Sequence, residues 1–223
     1  MELRTEGVSR RFFRGTGSAN FFYAVEKTDF RLPAGSLTEI TGRSGSGKST
    51  FLNLLAGLLE PSEGHVYLDE IDLYSLADGP RSEVRNRNIG VVPQGQTGLH
   101  SLSVLENVKL PCLLYGESVS DETALELLER FDIASLRDSY PNELSGGEMR
   151  RLAIARALIR RPAILLADEP TGDLDDENTA VVLRELRRAA NEGTAVLLVT
   201  HEQEAAAYAD RIYRMEKGVL RPD

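Results

Sequence analysis

Three groups of residues carry side chains and spacings able to act on a phosphate ester. The run Gly42-Arg43-Ser44-Gly45-Ser46-Gly47-Lys48-Ser49 fits the pattern G-x-x-x-x-G-K-[ST]. Its glycines let the backbone turn tightly and aim N–H groups at phosphate oxygens. Lys48 is expected to reach the outer phosphates and Ser49 to place its hydroxyl on Mg²⁺. Thr50 completes the expected phosphate contacts. Downstream, Asp168 and Glu169 end an apolar run, where one carboxylate can hold the metal through water and the other can face an attacking water. Asp168 is assigned to the metal and Glu169 to the water. The third group is Leu144-Ser145-Gly146-Gly147-Glu148, about twenty residues before that pair. Ser145 and Glu148 make a capping box, which accounts for those two residues but not for the glycines between them. Glycine costs about 1 kcal/mol against alanine inside a helix. Two at a helix start imply that something approaches the backbone closely, and the unpaired N–H groups there suit an anion.

Alternating extended and helical patterns are expected to position these groups. Leu37–Thr41 reads as a strand, followed by the glycine loop and a helix through Leu52, Leu54, Leu55 and Leu58 until Glu60-Pro61 breaks it. Residues 65–68 and Ile89–Val92 read as further strands. A helix is expected from Asp121 with Leu125, Leu128 and Phe131 on one face. Another begins at Ser145, with Leu152, Ala155 and Ile159 on one face, and ends at Pro162. Ala163–Ala167 and Ala195–Val199 are continuous apolar strands separated by a helix around Val181–Ala190, as in a sheet covered on both faces. The class is α/β, with a mainly parallel sheet. The first 35 residues, which include Arg14-Gly15-Thr16-Gly17, read as an antiparallel β layer. Residues 99–144 read as a helical lobe inserted into one domain spanning 1–223.

The chain has 223 residues, a net charge of -9, 41% hydrophobic and 27% charged residues, as expected of a globular domain with a sizeable core. The acidic balance argues against a nucleic-acid partner. Arg150, Arg151, Arg156, Arg160 and Arg161 form a basic cluster, expected to be the solvated face of a helix. The single cysteine, Cys112, sits in an apolar run and is expected to be buried. No apolar run approaches the ~20 residues that cross a bilayer, so any membrane role is expected to come through a partner.

Taken together, these residues resemble the ATP-binding cassette (ABC) family over essentially the whole chain. Leu144–Glu148 is similar to its signature motif. The resemblance implies a P-loop NTPase core and ATP with Mg²⁺ as ligands. It makes Gln94 the Q-loop glutamine, which touches the metal and senses a transport subunit. Gly172-Asp173-Leu174-Asp175 resembles the D-loop. His201 resembles the switch histidine that contacts the γ-phosphate, and Phe12, or else Phe13, the aromatic that stacks on adenine. Lys48, Glu169 and His201 become the catalytic set; Ser145, Gly146, Gly147 and Glu148 become ATP contacts made across a dimer. Met149 and Glu202 depart from the common family residues without removing a phosphate contact.

The partners implied are a second copy, in a sandwich around two ATP molecules, and an integral membrane permease reached through the Q-loop and helical lobe. The location implied is peripheral, on the cytoplasmic face of the cell membrane. Residues 98–111 and 166–175 resemble cassettes of the lipoprotein-release and macrolide-export group. The alternatives are a soluble ABC ATPase for DNA repair or translation, and a regulatory ATPase signalling through a permease. A small-molecule kinase would explain Lys48 and Asp168 but not the signature.

Overall fold

A computed structural model of the chain describes residues 1–13, 21–95, 98–172 and 174–223. In chain order the elements are β1 (Leu3–Phe13), β2 (Phe21–Leu32), β3 (Leu37–Thr41), α1 (Lys48–Leu55), β4 (Glu63–Leu68), β5 (Ile71–Asp72), α2 (Asp78–Asn88) and β6 (Ile89–Val92). They continue as α3 (Val104–Leu113), α4 (Asp121–Arg130), α5 (Gly146–Leu158), β7 (Ile164–Asp168), α6 (Asp176–Asn191), β8 (Ala195–Val199), β9 (Arg211–Glu216) and β10 (Val219–Pro222).

One sheet runs β10-β9-β3-β8-β7-β6, parallel except where β10 returns along β9. Its central strands β7 and β8 are buried at every residue because both faces are covered. Their period-two alternation divides the core. Leu165, Ala167, Val196 and Leu198 face the layer of α3, α4, α5 and α6. Ile164, Leu166, Leu197 and Val199 face α1 and a second, antiparallel sheet ordered β2-β1-β4-β5. Phe30 of that second sheet meets Phe51 of α1 and Tyr213 of β9 edge-on, each at 5.4 Å between ring centroids. These contacts join the two sheets across the helix that carries the phosphate loop.

The expected β layer is thus larger than the first 35 residues, since β4 and β5 complete it; Arg14–Gly17 lie outside the described residues. Helix α1 ends at Leu55, short of Leu58, because Gly57 takes a left-handed φ of 69°. Phe131 lies just beyond α4, yet it is fully buried with Leu128. Cys112 is buried, as its apolar run implied.

One buried group was not foreseen. Glu39, in β3 between β8 and β9, is 1% exposed, and its Oε2 has no partner. Burial, with the Asp223 carboxylate adding to it, pushes its carboxyl up to about 7 from 4.5. The folded chain therefore holds the proton more tightly than the unfolded chain. Stability is greatest below 4.5 and is lost as pH rises towards about 7. We predict that Glu39→Gln flattens this dependence, so that the variant gains on the native chain between pH 5 and 8. The gain is at most about 3 kcal/mol, measurable by denaturant melts at each pH; parallel curves for the two chains would remove Glu39 as the cause.

Candidate nucleotide site

The phosphate loop leaves β3 and enters α1. Gly47 caps α1 in a left-handed conformation (φ 111°), with no side-chain cap and no acidic residue in the first turn. The first N–H groups of the helix are left for an anion, and the helix dipole favours one there. The glycines are sterically required. A Cβ on Gly47 would lie 2.1 Å from the Ala24 carbonyl oxygen, and one on Gly42 would lie 2.3 Å from that of Met215. Lys48 is 8% exposed and donates to the Gly42 and Arg43 carbonyls at 2.7 and 3.3 Å. Its ammonium is thereby held folded back over the loop.

A cleft of about 1010 Å³ opens over this loop. Every residue from Gly42 to Thr50 lines it, with Gln94, Asp168, Glu169 and His201 at one end and Phe12 at the other. Phe12 packs against Phe22 with ring centroids 6.0 Å apart, and Phe22 also lines the cleft. Phe13 does not line it: that ring is 60% exposed and packs on Phe21.

At the carboxylate end, Asp168 Oδ1 is buried without a partner. Burial raises the Asp168 carboxyl above its usual range; Ser49, Lys48 and Arg150 oppose that shift. Glu169 sits at φ 49°, a conformation rarely adopted by a non-glycine residue, at the start of a turn closed by the Gly172 N–H on its carbonyl. Its Oε2 is 2.9 Å from His201 Nδ1. The Glu169 carboxylate, by hydrogen bond and by charge, raises the His201 imidazole above its ordinary value.

The signature residues lie elsewhere. Ser145 caps α5: its Oγ accepts from the Glu148 N–H at 3.3 Å and donates to Glu148 Oε2 at 2.7 Å. The Ser145 N–H donates to the same carboxylate oxygen at 2.7 Å. These donors hold the Glu148 carboxyl below its usual range. Ser145 and Gly146 are exposed. Gly147 has a neighbour within the chain, since a Cβ there would come 3.1 Å from Leu174. None of Ser145, Gly146, Gly147 and Glu148 lines the cleft; of this helix only Arg150 reaches it.

The arginine cluster is not a solvated face. Arg150 donates to the Pro93 carbonyl at 3.2 Å, just before Gln94. Arg151 is 8% exposed and bonds Asn178, which in turn bonds the Asp175 side chain. Arg160 bonds Asn86, the Pro111 carbonyl and Glu117. Burial lowers the Arg156 pKa, and only Arg161 stands exposed. The cluster ties α5 to the Gln94 segment, to the start of α6 and to the helical lobe. Asp173, between Gly172 and Leu174, lies outside the described residues.

The family model described as ABC transporter matches residues 25–172, and the chain belongs to that family. It is 39% identical to the lipoprotein-releasing system ATP-binding protein LolD of Xanthomonas campestris pv. campestris (strain 8004), covering 98% of this chain and 92% of LolD. Over 86% of its length it is 41% identical to the macrolide export ATP-binding/permease protein MacB of Syntrophobacter fumaroxidans, of which that match spans 28%. Among solved structures, the dimeric ATP-binding cassette MJ0796 bound to ADP and Pi superposes with a TM-score of 0.92. That cassette is 34% identical, and 99% of this chain and 97% of that one are covered.

The Glu169–His201 pair predicts a titration. The charged imidazole is held below its raised pKa, and the pairing is lost as pH rises through that value. In NMR titrations of the nucleotide-free protein, His201 should titrate above 6.5 and fall back towards 6.5 in Glu169→Gln. An unchanged His201 titration in that variant would show that Glu169 does not set it.

Proposed function

We propose that the chain is the ATP-hydrolysing subunit of an ABC transporter whose two copies close around two ATP molecules, the signature of each copy completing the site of the other. One observation carries this reading. The cleft gathers the phosphate loop, Gln94, Asp168, Glu169 and His201, while Ser145, Gly146, Gly147 and Glu148, at the start of α5, lie outside it. A signature that cannot serve its own chain's cleft is free to serve another's.

Within each site, Phe12 offers its face to the base, and Lys48 and the loop N–H groups bind the phosphates. The oxygen donors of Ser49, Asp168 and Gln94 suit Mg²⁺, and the unpartnered Asp168 Oδ1 is the atom expected to hold it, directly or through water. Mg²⁺ would neutralise charge on the β- and γ-phosphates. Glu169 orients and deprotonates the attacking water, and His201 donates to the γ-phosphate. The strained backbone of Glu169 fixes its carboxylate at the strand end, where that role requires it.

No helix among the described residues is long and apolar enough to cross a membrane. The likeness to the ATP-binding components LolD and MacB supports the reading that the chain acts on the cytoplasmic face of the membrane through a permease. The docking surface proposed is the Gln94 segment with the lobe of residues 99–144, where Leu99, Leu113, Leu114 and Tyr115 are exposed. The likeness to LolD and MacB favours an export or mechanotransmission system. Residues 1–223 act as one nucleotide-binding domain, and no nucleic acid is expected among its partners.

Glu169→Gln should keep ATP affinity, lose at least about a hundredfold in turnover, and elute with ATP as a dimer by size exclusion with light scattering. An unchanged hydrolysis rate removes Glu169 from its role. A variant that stays monomeric with saturating ATP contradicts the sandwich. Lys48→Ala should lose nucleotide affinity, and normal binding would take the phosphate loop out of the site.

A further inference from the structure

We propose that Lys217, on the turn between β9 and β10, is a further nucleotide contact that pairs with the phosphates common to ATP and ADP. This rests on the cleft being the ATP site.

The turn is bound to the phosphate loop. The Gly218 N–H donates to the Ser46 carbonyl at 2.8 Å, and the Glu26 N–H donates to the Gly218 carbonyl at 2.9 Å. The Met215 carbonyl, two residues earlier, packs on Gly42 so closely that no side chain fits between them. A side chain on this turn is thus held at a fixed place relative to the loop N–H groups.

Lys217 lines the cleft. It also lines a neighbouring cavity of about 740 Å³ shared with Arg43, Ser44 and His201, so it stands on the rim between the two. The position along the cleft follows from the backbone. Gly218 and Gly47 both abut the Ala24 carbonyl, and Phe22, two residues before Ala24, forms the aromatic end with Phe12. The turn carrying Lys217 therefore lies beside the phosphate loop, against Ala24, within reach of the phosphates that the loop would bind.

The residue type is costly for the turn itself. Lys217 has φ 47°, and a left-handed conformation costs a residue with a Cβ roughly 1 kcal/mol or more. Asn or Gly would make the same turn with less strain. The side chain is exposed and has no ion pair or hydrogen bond among the described residues, so no polar contact of that side chain within the fold offsets the strain. An unpaired ammonium kept in a strained turn beside a polyanion site has a physical reason if it meets the anion.

Lys217→Asn removes the cation while suiting the turn. ATP and ADP affinities of the full chain would be measured by calorimetry at low and high salt, with the melting temperature as the fold control. We expect both affinities to fall about threefold to tenfold at low salt. The deficit should shrink at high salt, Lys217→Arg should bind as the native chain does, and the melting temperature should hold or rise. Native affinity in Lys217→Asn, a loss confined to ATP, or a loss unchanged by salt would each overturn the proposal. Lys48→Ala separates the two levels. If it loses binding while Lys217→Asn does not, Lys217 alone is refuted; if it binds normally, the reading of the cleft fails first.

Discussion

Everything in this molecule depends on holding one short stretch of bare backbone in place. Residues 42–49 must present N–H groups to a polyanion, which requires left-handed turns and an absence of side chains at Gly42 and Gly47. Such a loop has little stability of its own. Parallel strand β3 and helix α1 anchor its ends, and the Ala24 and Met215 carbonyls pack directly on its glycines. The Lys48 ammonium ties the loop to itself, and the turn after β9 ties it to the carboxyl end of the chain. The antiparallel sheet and β9 thus brace the loop, through Phe30, Phe51 and Tyr213, while the parallel sheet brings Asp168, Glu169 and His201 to the cleft.

That delivery follows from strand ends. β7 places Asp168 and Glu169 beside the loop, and His201 follows β8, the next strand of the sheet. The Glu169–His201 contact links these two ends and raises the pKa of the imidazole beside the phosphate loop. The α5 arginines perform a second coupling. Arg150 holds the backbone before Gln94, Arg151 holds the start of α6, and Arg160 reaches the helical lobe. A movement of the lobe would pass through these bonds to the cleft, and ATP-driven closure could pass back along them.

Local chemistry was legible in the sequence where the signal was local. The glycine loop, the strand ending at Asp168 and the capping box at Ser145 each declare themselves within ten residues, because turns, apolar runs and caps act over that range. What was not legible is set by chain segments far apart. The burial of Arg151 depends on Asn178, that of Glu39 on β8 and β9, and the place of Lys217 on the phosphate loop more than 170 residues earlier. A charge run looks the same in sequence whether it faces water or bridges helices. That Phe12 lines the cleft and Phe13 does not likewise depends on the register of β1 against β2, which pairs Phe12 with Phe22 and Phe13 with Phe21.

The central claim is that an active site is shared between two copies, with the phosphate loop from one and the signature from the other. The direct measurement is ATP hydrolysis by mixtures of two individually inactive chains, Lys48→Ala and Gly147→Asp. A mixed dimer holds one site in which both the loop and the signature are native. The shared site predicts that mixing restores hydrolysis well above the sum of the separate chains. A mixture as inactive as its components would show that the signature acts within its own chain and would contradict the claim.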